Sequence, residues 1–564
     1  MRLRSVIQLS TLEFTCNGTS VTTEIDSGES LLSVLRERLG ITSVKDGCAP
    51  QGQCGCCTVL VDGDARVACV TPAIRVAGRS VSTIEGLDAD VRHKLATALC
   101  ATGGAQCGFC TPGIVVRCAA LIEKDKTSKT DIDRALAAHL CRCTGWQTIA
   151  AAITDEAAES DRDMRAATLR AELEGGVPQQ VGSHVSLGEV NFADDDVPTD
   201  SLVAIPLPPG SDAEFVEVSG QKMVVAESLH LARSIAAKTQ GRRTTRSVSP
   251  PIAPLATPEG GVSLATSWLE PSYLESDASW CLPGGEPANP LANGGAFGGK
   301  AESLAPAIAR ELANECGRPV RVLFSREDVV RLGPKRPPLA ASAVLRGDTI
   351  QIAGMAGGPI ATASPAHYGL KLDAAIEKVD LVGPTAAPMR APWAETAVLI
   401  EGAIEAARFD RRANLTGTAV AVLLDSCVES PDGAFAGASV VIADDGRVTD
   451  VHVRVAAGDP LDEIVLRSYC IGAVHMALGW VLSEGLSVDA DTGEIQDLTI
   501  RSFGIIRPKD MPKISVEIIE DPRPAIPHGS DAVFAAVAAA AWIALGMPPS
   551  WPALETKASQ LVRR

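Results

Sequence analysis

Aromatic side chains are scarce: they make up 4% of the 564 residues, and only three are tyrosines. A chain so poor in rings offers no platform for stacking bases. With abundant Ala and Gly, it reads instead as a close-packed interior of small residues. Positive charge is also in deficit. Lys and Arg number 51 against 69 Asp and Glu, a net charge of −18, which argues against nucleic acid and anionic membrane as partners. Long apolar runs are missing. In the C-terminal part the longest charge-free one, 532–547 (AVFAAVAAAAWIALGM), is too short to span a bilayer and reads as a buried helix, so no membrane span is expected. Met1 to Ser10 holds two arginines that are not adjacent, with no apolar core behind them. That is no secretion signal, so a cytoplasmic location and reduced thiols are expected. No solenoid-type repeat is present.

Cysteine, by contrast, is plentiful, with sixteen in the chain. Eight fall into two tight blocks. The first, GCAPQGQCGCCTVLVDGDARVAC, places Cys48, Cys54, Cys57 and Cys69 at short spacings. The second pairs QCGFC with a later CRC and supplies Cys107, Cys110, Cys141 and Cys143. Four thiolates at short fixed spacings suit a 2Fe–2S cluster, two per iron. The first block is close to the plant-type ferredoxin spacing, with one extra residue between its first two ligands. Zinc favours matched C-x2-C knuckles, which neither block has. Cys56 lies inside the first loop and is read as a decoy rather than a ligand. Cys16, Cys100, Cys118, Cys281, Cys316, Cys427 and Cys470 are scattered and read as buried apolar residues. Two such centres in series imply electron transfer.

The expected fold is α+β and multidomain. Residues 1–86 form a β-grasp, plant-type ferredoxin domain: IQLSTLEF and SVTTEI flank an Asn17-Gly18 turn, and Ser30 caps a helix ended by Gly40. Residues 87–160 form an all-α four-helix domain, with Pro112 at one helix start and Thr130 as a cap. The second cysteine block then lies at helix ends, where N–H groups help carry a cluster's charge. Residues 161–260 read as a linker and the start of a further domain, acidic and then Pro-rich. The basic run Arg242-Arg243 with Arg246 reads as a solvated loop rather than a phosphate site. Residues 261–564 are α/β, with a helix closed by Gly317, the strand RPVRVLF, a hairpin turning at Asp445-Gly446, and two further apolar helices.

The two blocks in this order, with the phrases QCGFCTPG and LCRCTGW, resemble the iron–sulfur part of the molybdenum hydroxylases, the xanthine dehydrogenase and aldehyde oxidase family. The resemblance covers nearly all of residues 1–155. It implies two 2Fe–2S clusters, one near solvent or a flavin and one near a molybdopterin, with Gln106 matching the family glutamine that contacts the pterin. PANPLANGGAFGGKAES resembles the family's glycine-rich loop near molybdenum, through Gly294, Gly295, Phe297, Gly298 and Gly299. APMRAPWAETAVLIEGAIEAA resembles the segment whose arginine, here Arg390, faces the substrate pocket. The last part is a truncated α/β molybdopterin-binding-like domain. It departs from the family twice. A long stretch with the Gly-Gln-Gly type cofactor loop is missing, and Ser530 stands where the family carries its catalytic glutamate. A serine hydroxyl is no base at neutral pH. Asp531 is one residue along, but that step turns a helical side chain by ~100°.

These features imply an iron–sulfur electron-transfer and scaffold subunit of a molybdenum hydroxylase complex. A larger catalytic partner would hold most of the molybdopterin. Electrons would leave to a separate flavin subunit or another acceptor, since this chain has no FAD domain. The alternatives are a self-sufficient hydroxylase using Asp531 as base, and a non-catalytic assembly or redox-sensing protein. Purines, aldehydes, N-heterocycles and carbon monoxide are all open as substrates. Removal of part of the domain is expected to leave apolar surface for a partner to cover.

Overall fold

The chain is described from a computed structural model, which covers residues 9–154, 162–237, 241, 248–291, 293–387 and 389–563. The first residues, the acidic stretch 155–161 and the basic run Arg242, Arg243 and Arg246 lie outside the described residues. The first sheet opens with a hairpin. Strand Leu9–Cys16 runs antiparallel to Thr19–Asp26, and the turn between them has positive φ at both Asn17 (50°) and Gly18 (79°). Those angles match the twist of a two-residue hairpin. Ser80–Ser82, Thr58–Val61 and Asp64–Val67 complete the five strands. The Ser30 hydroxyl accepts the Ser33 N–H at 3.2 Å, as a cap should. The helix it starts widens into a π-turn over Val34–Arg38, which keeps Leu31, Leu32, Val34 and Leu35 on the core.

Four helices follow: Ala89–Thr102, Thr111–Glu123, Lys129–Leu136 and Gln147–Ile153. Pro112 sits in the first turn of the second. The third is capped by Ser128, whose hydroxyl accepts the Asp131 N–H, and not by Thr130. Thr130 already lies inside the first turn, where no cap is needed.

The stretch read as a linker is structured. It holds helix Met164–Gly175 and strands Leu202–Pro206, Val216–Val218 and Gln221–Ala226. The three strands share a sheet with Ala278–Cys281 and Val320–Leu323, in which Leu202–Pro206 runs parallel to Val320–Leu323. Two further sheets are built from 261–564. In one, Ser550–Trp551 near the C-terminus lies parallel to Gly261–Thr266. The other orders Ser426–Glu429, Phe435–Ile442, Val448–Ala456 and Lys513–Ile518.

Helices Ala394–Ala406, Glu463–Leu482 and Gly529–Ala544 meet between these sheets in the largest core. Alanine and glycine let them approach closely: a Cβ at Gly402 would stand 2.4 Å from the Trp542 ring. Helix Glu463–Leu482 is long and apolar enough to cross a membrane, yet 78% of its apolar window is buried in this core. The bared apolar face expected of a shortened domain is not gathered on one element. The large hydrophobics that are exposed run from Leu9 and Val70 to Val420 and Val441.

Candidate functional site

The first cysteine block folds as a loop over the first sheet, with all four candidate ligands buried. The Gln53 and Cys54 N–H groups donate to Cys48 Sγ at 3.4 and 3.3 Å, and the Cys69 N–H donates to Cys57 Sγ at 3.4 Å. Side-chain hydrogen bonds join Cys48 to Cys54 and to Cys69, and Cys69 to Cys57. The Cys54 and Cys69 thiols donating to it, with those backbone N–H groups, pull the Cys48 thiol well below the usual range despite burial. A thiolate is the form that binds metal.

In the second block Cys110 is the residue before helix Thr111–Glu123, while Cys141 and Cys143 sit in the loop ahead of Gln147–Ile153. Cys107 and Cys143 bring their sulfurs to 3.6 Å. Two sulfurs held tetrahedrally at ~2.3 Å from one metal stand about 3.7 Å apart. Cys110 pairs with Cys141, whose thiol is drawn down to about 7 by the Cys110 thiol and then by Thr144. Among the described residues, no three His, Cys, Asp or Glu side chains are arranged for a single metal ion. A two-iron cluster needs two pairs of thiolates, one pair per iron. Both blocks offer pairs, and both fit that group.

The two blocks touch. The Leu140 N–H donates to the Cys54 carbonyl at 2.9 Å, one residue before Cys141. A Cβ at Gly55 would lie 2.5 Å from His139 Nδ1, and one at Gly113 would lie 2.5 Å from the Gly55 carbonyl. Glycine is what allows the loops to meet this closely. Cys56 is buried at this contact, with its sulfur hydrogen-bonded to Cys54.

Beyond the second block lies a cavity of about 90 Å³. Gln106, Cys107, Gly294, Phe297, Arg390, Ser530 and Asp531 all line it, so residues far apart in sequence converge. Gly295, Gly298 and Gly299 do not line it; they seat the glycine loop. Cβ atoms there would stand 2.9 Å from the Gly175 carbonyl, 3.5 Å from the Arg390 nitrogen and 2.6 Å from the Tyr273 ring. At Gly294, with φ of 124°, a Cβ would meet that of Cys107 at 2.9 Å. The loop therefore rests directly on a candidate cluster ligand.

The polar groups around Ser530 are engaged with one another. Arg390 holds Asp531 in two hydrogen bonds of 3.1 and 2.8 Å and donates a third to the Glu174 carbonyl at 2.5 Å. Both Ser530 and Asp531 face the cavity despite the turn of the helix between them. The expected outward aim of Asp531 is corrected by its bond to Arg390. The Gly529 and Ser530 N–H groups donate to the two oxygens of Glu174, at 3.2 and 2.9 Å. Glu174 is fully buried and ion-paired with Arg170. Gln106 donates its amide N–H to the Cys143 carbonyl and to Ser468 Oγ, both at 2.9 Å. Glu174 escaped the sequence reading because it lies in the stretch taken as a linker. Its only signal was an Arg four residues earlier.

The comparisons with known proteins follow this geometry. The model "2Fe-2S iron-sulfur cluster binding domain" matches residues 14–73, and "[2Fe-2S] binding domain" matches residues 83–154. The isoquinoline 1-oxidoreductase subunit alpha of Brevundimonas diminuta is 42% identical over 151 residues, 26% of this chain and 99% of that protein. The xanthine dehydrogenase iron-sulfur-binding subunit of Escherichia coli O157:H7 is 40% identical over 150 residues, 92% of its length. The chain belongs to the molybdenum hydroxylase family. Its sequence match spans only 16% of the aldehyde oxidoreductase of Megalodesulfovibrio gigas, at 42% identity. In fold the likeness is wider. The solved aldehyde oxidoreductase from Desulfovibrio gigas superposes over 98% of this chain and 99% of its own, with a TM-score of 0.70 at 16% identity. The multidomain α+β fold is therefore that of an aldehyde oxidoreductase, with two 2Fe–2S domains at the front.

The molybdopterin implied by the family does not fit the cavity as built. Pockets for ligands of that size run to ~300–1,000 Å³, against about 90 Å³ here. The groups that would meet it are already engaged: Gln106 with the Cys143 carbonyl and Ser468, Arg390 with Asp531, and the N–H groups of Gly529 and Ser530 with Glu174.

Proposed function

We propose that this chain is the iron–sulfur electron-transfer and scaffold subunit of a cytoplasmic molybdenum hydroxylase complex, with the molybdopterin held by a larger partner chain. Bound at the two thiol sets, 2Fe–2S clusters supply one-electron storage. Cys48, Cys54, Cys57 and Cys69 would hold one cluster, and Cys107, Cys110, Cys141 and Cys143 the other. The Leu140–Cys54 hydrogen bond gives a short link between the sets. Cys107 and Cys143 border the cavity through which a donor would be approached. Electrons would leave at the first set, to a separate flavin subunit or another acceptor.

One observation carries this reading over a self-sufficient hydroxylase. Asp531, the carboxylate that follows Ser530, is clamped by Arg390, and Glu174, which accepts the Ser530 N–H, is ion-paired with Arg170. A general base must be free to take a proton within hydrogen-bond reach of its target. Metal analysis of the purified lone chain should find about four irons and no stoichiometric molybdenum. Purification from its source should bring a larger molybdenum-bearing chain with it. Molybdenum bound in a stable lone chain would overturn the proposal.

A further inference from the structure

A second and larger cavity, of about 270 Å³, opens beside the first cysteine set. Its near wall is Ala49 and Pro50, the two residues after Cys48. Its far wall comes from the sheet that contains Leu202–Pro206 and Val320–Leu323, through Ile205, Pro206, Pro208 and Leu323. Helix Leu229–Ala236 closes one side with Arg233 and Ala236. The volume is just under the ~300–1,000 Å³ typical of small-molecule sites, and about three times that of the cavity at the other cysteine set.

The walls state what would fit. Prolines and aliphatic side chains on the faces suit a flat, apolar ring. Among the described lining residues one cation is present: Arg233, held in place by Asp46 at 2.9 Å. Its side chain is about one-third exposed, so its remaining N–H groups can reach a ligand oxygen. The other charged lining groups, Glu327 and Asp328, are acidic. Arg233 is balanced by Asp46 and Asp328 by Arg331 at 3.0 Å, and burial pushes the Glu327 carboxyl up to about 7, so the described lining leaves no unbalanced cation to hold a phosphate. An uncharged ring with carbonyl oxygens needs none.

We infer that this cavity is a quinone site at which electrons leave the chain. The inference rests on the electron-transfer reading above and names its acceptor. A quinone seated there would lie within two residues of Cys48. It would accept two electrons, one at a time, from the first cysteine set, refilled from the second. It would take two protons from water at the cavity mouth and depart as the quinol. The two carbon–oxygen double bonds become two C–OH groups, and two reduced clusters end oxidised.

The test uses the purified chain with both clusters loaded and two probes, menadione and flavin mononucleotide. Titration calorimetry of the oxidised protein should show saturable binding of menadione and much weaker binding of the flavin. Ala236→Phe, which fills the cavity, should weaken menadione binding at least tenfold. Should that variant misfold, Arg233→Gln at the partly exposed wall should weaken it severalfold with the fold intact. Rapid mixing of the dithionite-reduced protein with menadione should give a reoxidation rate that saturates, and both variants should slow it. Absence of saturable binding, binding indifferent to both variants, or tighter binding of the flavin would each overturn the site. Saturable, variant-sensitive binding without reoxidation would leave the site standing and overturn the electron-transfer reading instead.

Discussion

Cys56 and Cys57 are neighbours in sequence, yet the fold gives them different work. Cys57 accepts a backbone hydrogen bond from Cys69, another member of the proposed ligand set. Cys56 is turned toward Cys54 and the contact between the two blocks. Cys56→Ser should therefore retain both electron-paramagnetic signals after reduction, whereas Cys57→Ser should lose one; loss of a signal in Cys56→Ser would refute the ligand assignment. His475 carries a second expectation at this scale. It is fully buried in helix Glu463–Leu482, with Nε2 bonded to the Ile506 carbonyl at 3.0 Å. Burial, and then the nearby Arg142 charge, push its pKa down to about 4 from the ordinary 6.5. Between those values the unfolded chain binds the proton and the folded one does not. Stability is thus complete above about pH 6.5 and falls as pH drops toward 4. The shift corresponds to roughly 3 kcal/mol, and buried His139, pushed down to about 3, adds the same sign. Urea melts of His475→Gln at pH 7 and 4.5 should show a smaller loss on acidification than the parent. An equal loss would show that another group dominates.

The element that joins the halves of the cavity is helix Met164–Gly175, through Glu174. Its carboxylate caps helix Gly529–Ala544 from outside, at the end where unpaired N–H groups favour negative charge. Glu174→Gln would leave Arg170 buried without its counter-ion, and breaking such a pair costs about 3–5 kcal/mol. A clear drop in melting temperature with both clusters retained is the expected result. Unchanged stability would mean the cap is dispensable. This element also marks where the sequence stops being legible. The hairpin at Asn17-Gly18, helix Ala305–Cys316 with Gly317 as its left-handed cap, and the apolar helix at 529–544 were readable because local signals fix them. Turn glycines and apolar periodicity act within a few residues. The cysteine sets were readable because their spacing is local too. Helix Met164–Gly175 has no apolar stripe of its own. Ala167 and Ala171 are buried by other segments, and Arg170 and Glu174 by each other, so its sequence looked like a solvated connector. For the same reason Gln106, Arg390, Ser530 and Asp531 could be named one by one, but their meeting in one cavity, already paired, could not.

Across the whole molecule the cavity is assembled from segments far apart in the chain. Arg390 and Asp531 sit on segments that are 141 residues apart in sequence and meet in the fold as an ion pair. The two side chains are 25% and 14% exposed. Both are mostly buried, and removing one charge of a buried pair costs about 3–5 kcal/mol, so Asp531→Asn, which keeps one acceptor oxygen for Arg390, should lower the melting temperature. The functional expectation follows from the geometry. If Asp531 were the base for hydroxylation, its loss would lower turnover by ~10²–10⁴-fold. Because Arg390 already neutralises it and the cavity does not fit the cofactor, turnover of the assembled complex should instead stay within about twofold of the parent. Ser530→Glu should not confer turnover on the lone chain, since a new carboxylate there would meet Glu174 in a cavity of about 90 Å³. Steady-state rates of the Asp531→Asn complex, with iron content and assembly checked alongside, decide the matter. A fall of a hundredfold or more with both intact would return the chemistry to this chain and make Asp531 its base.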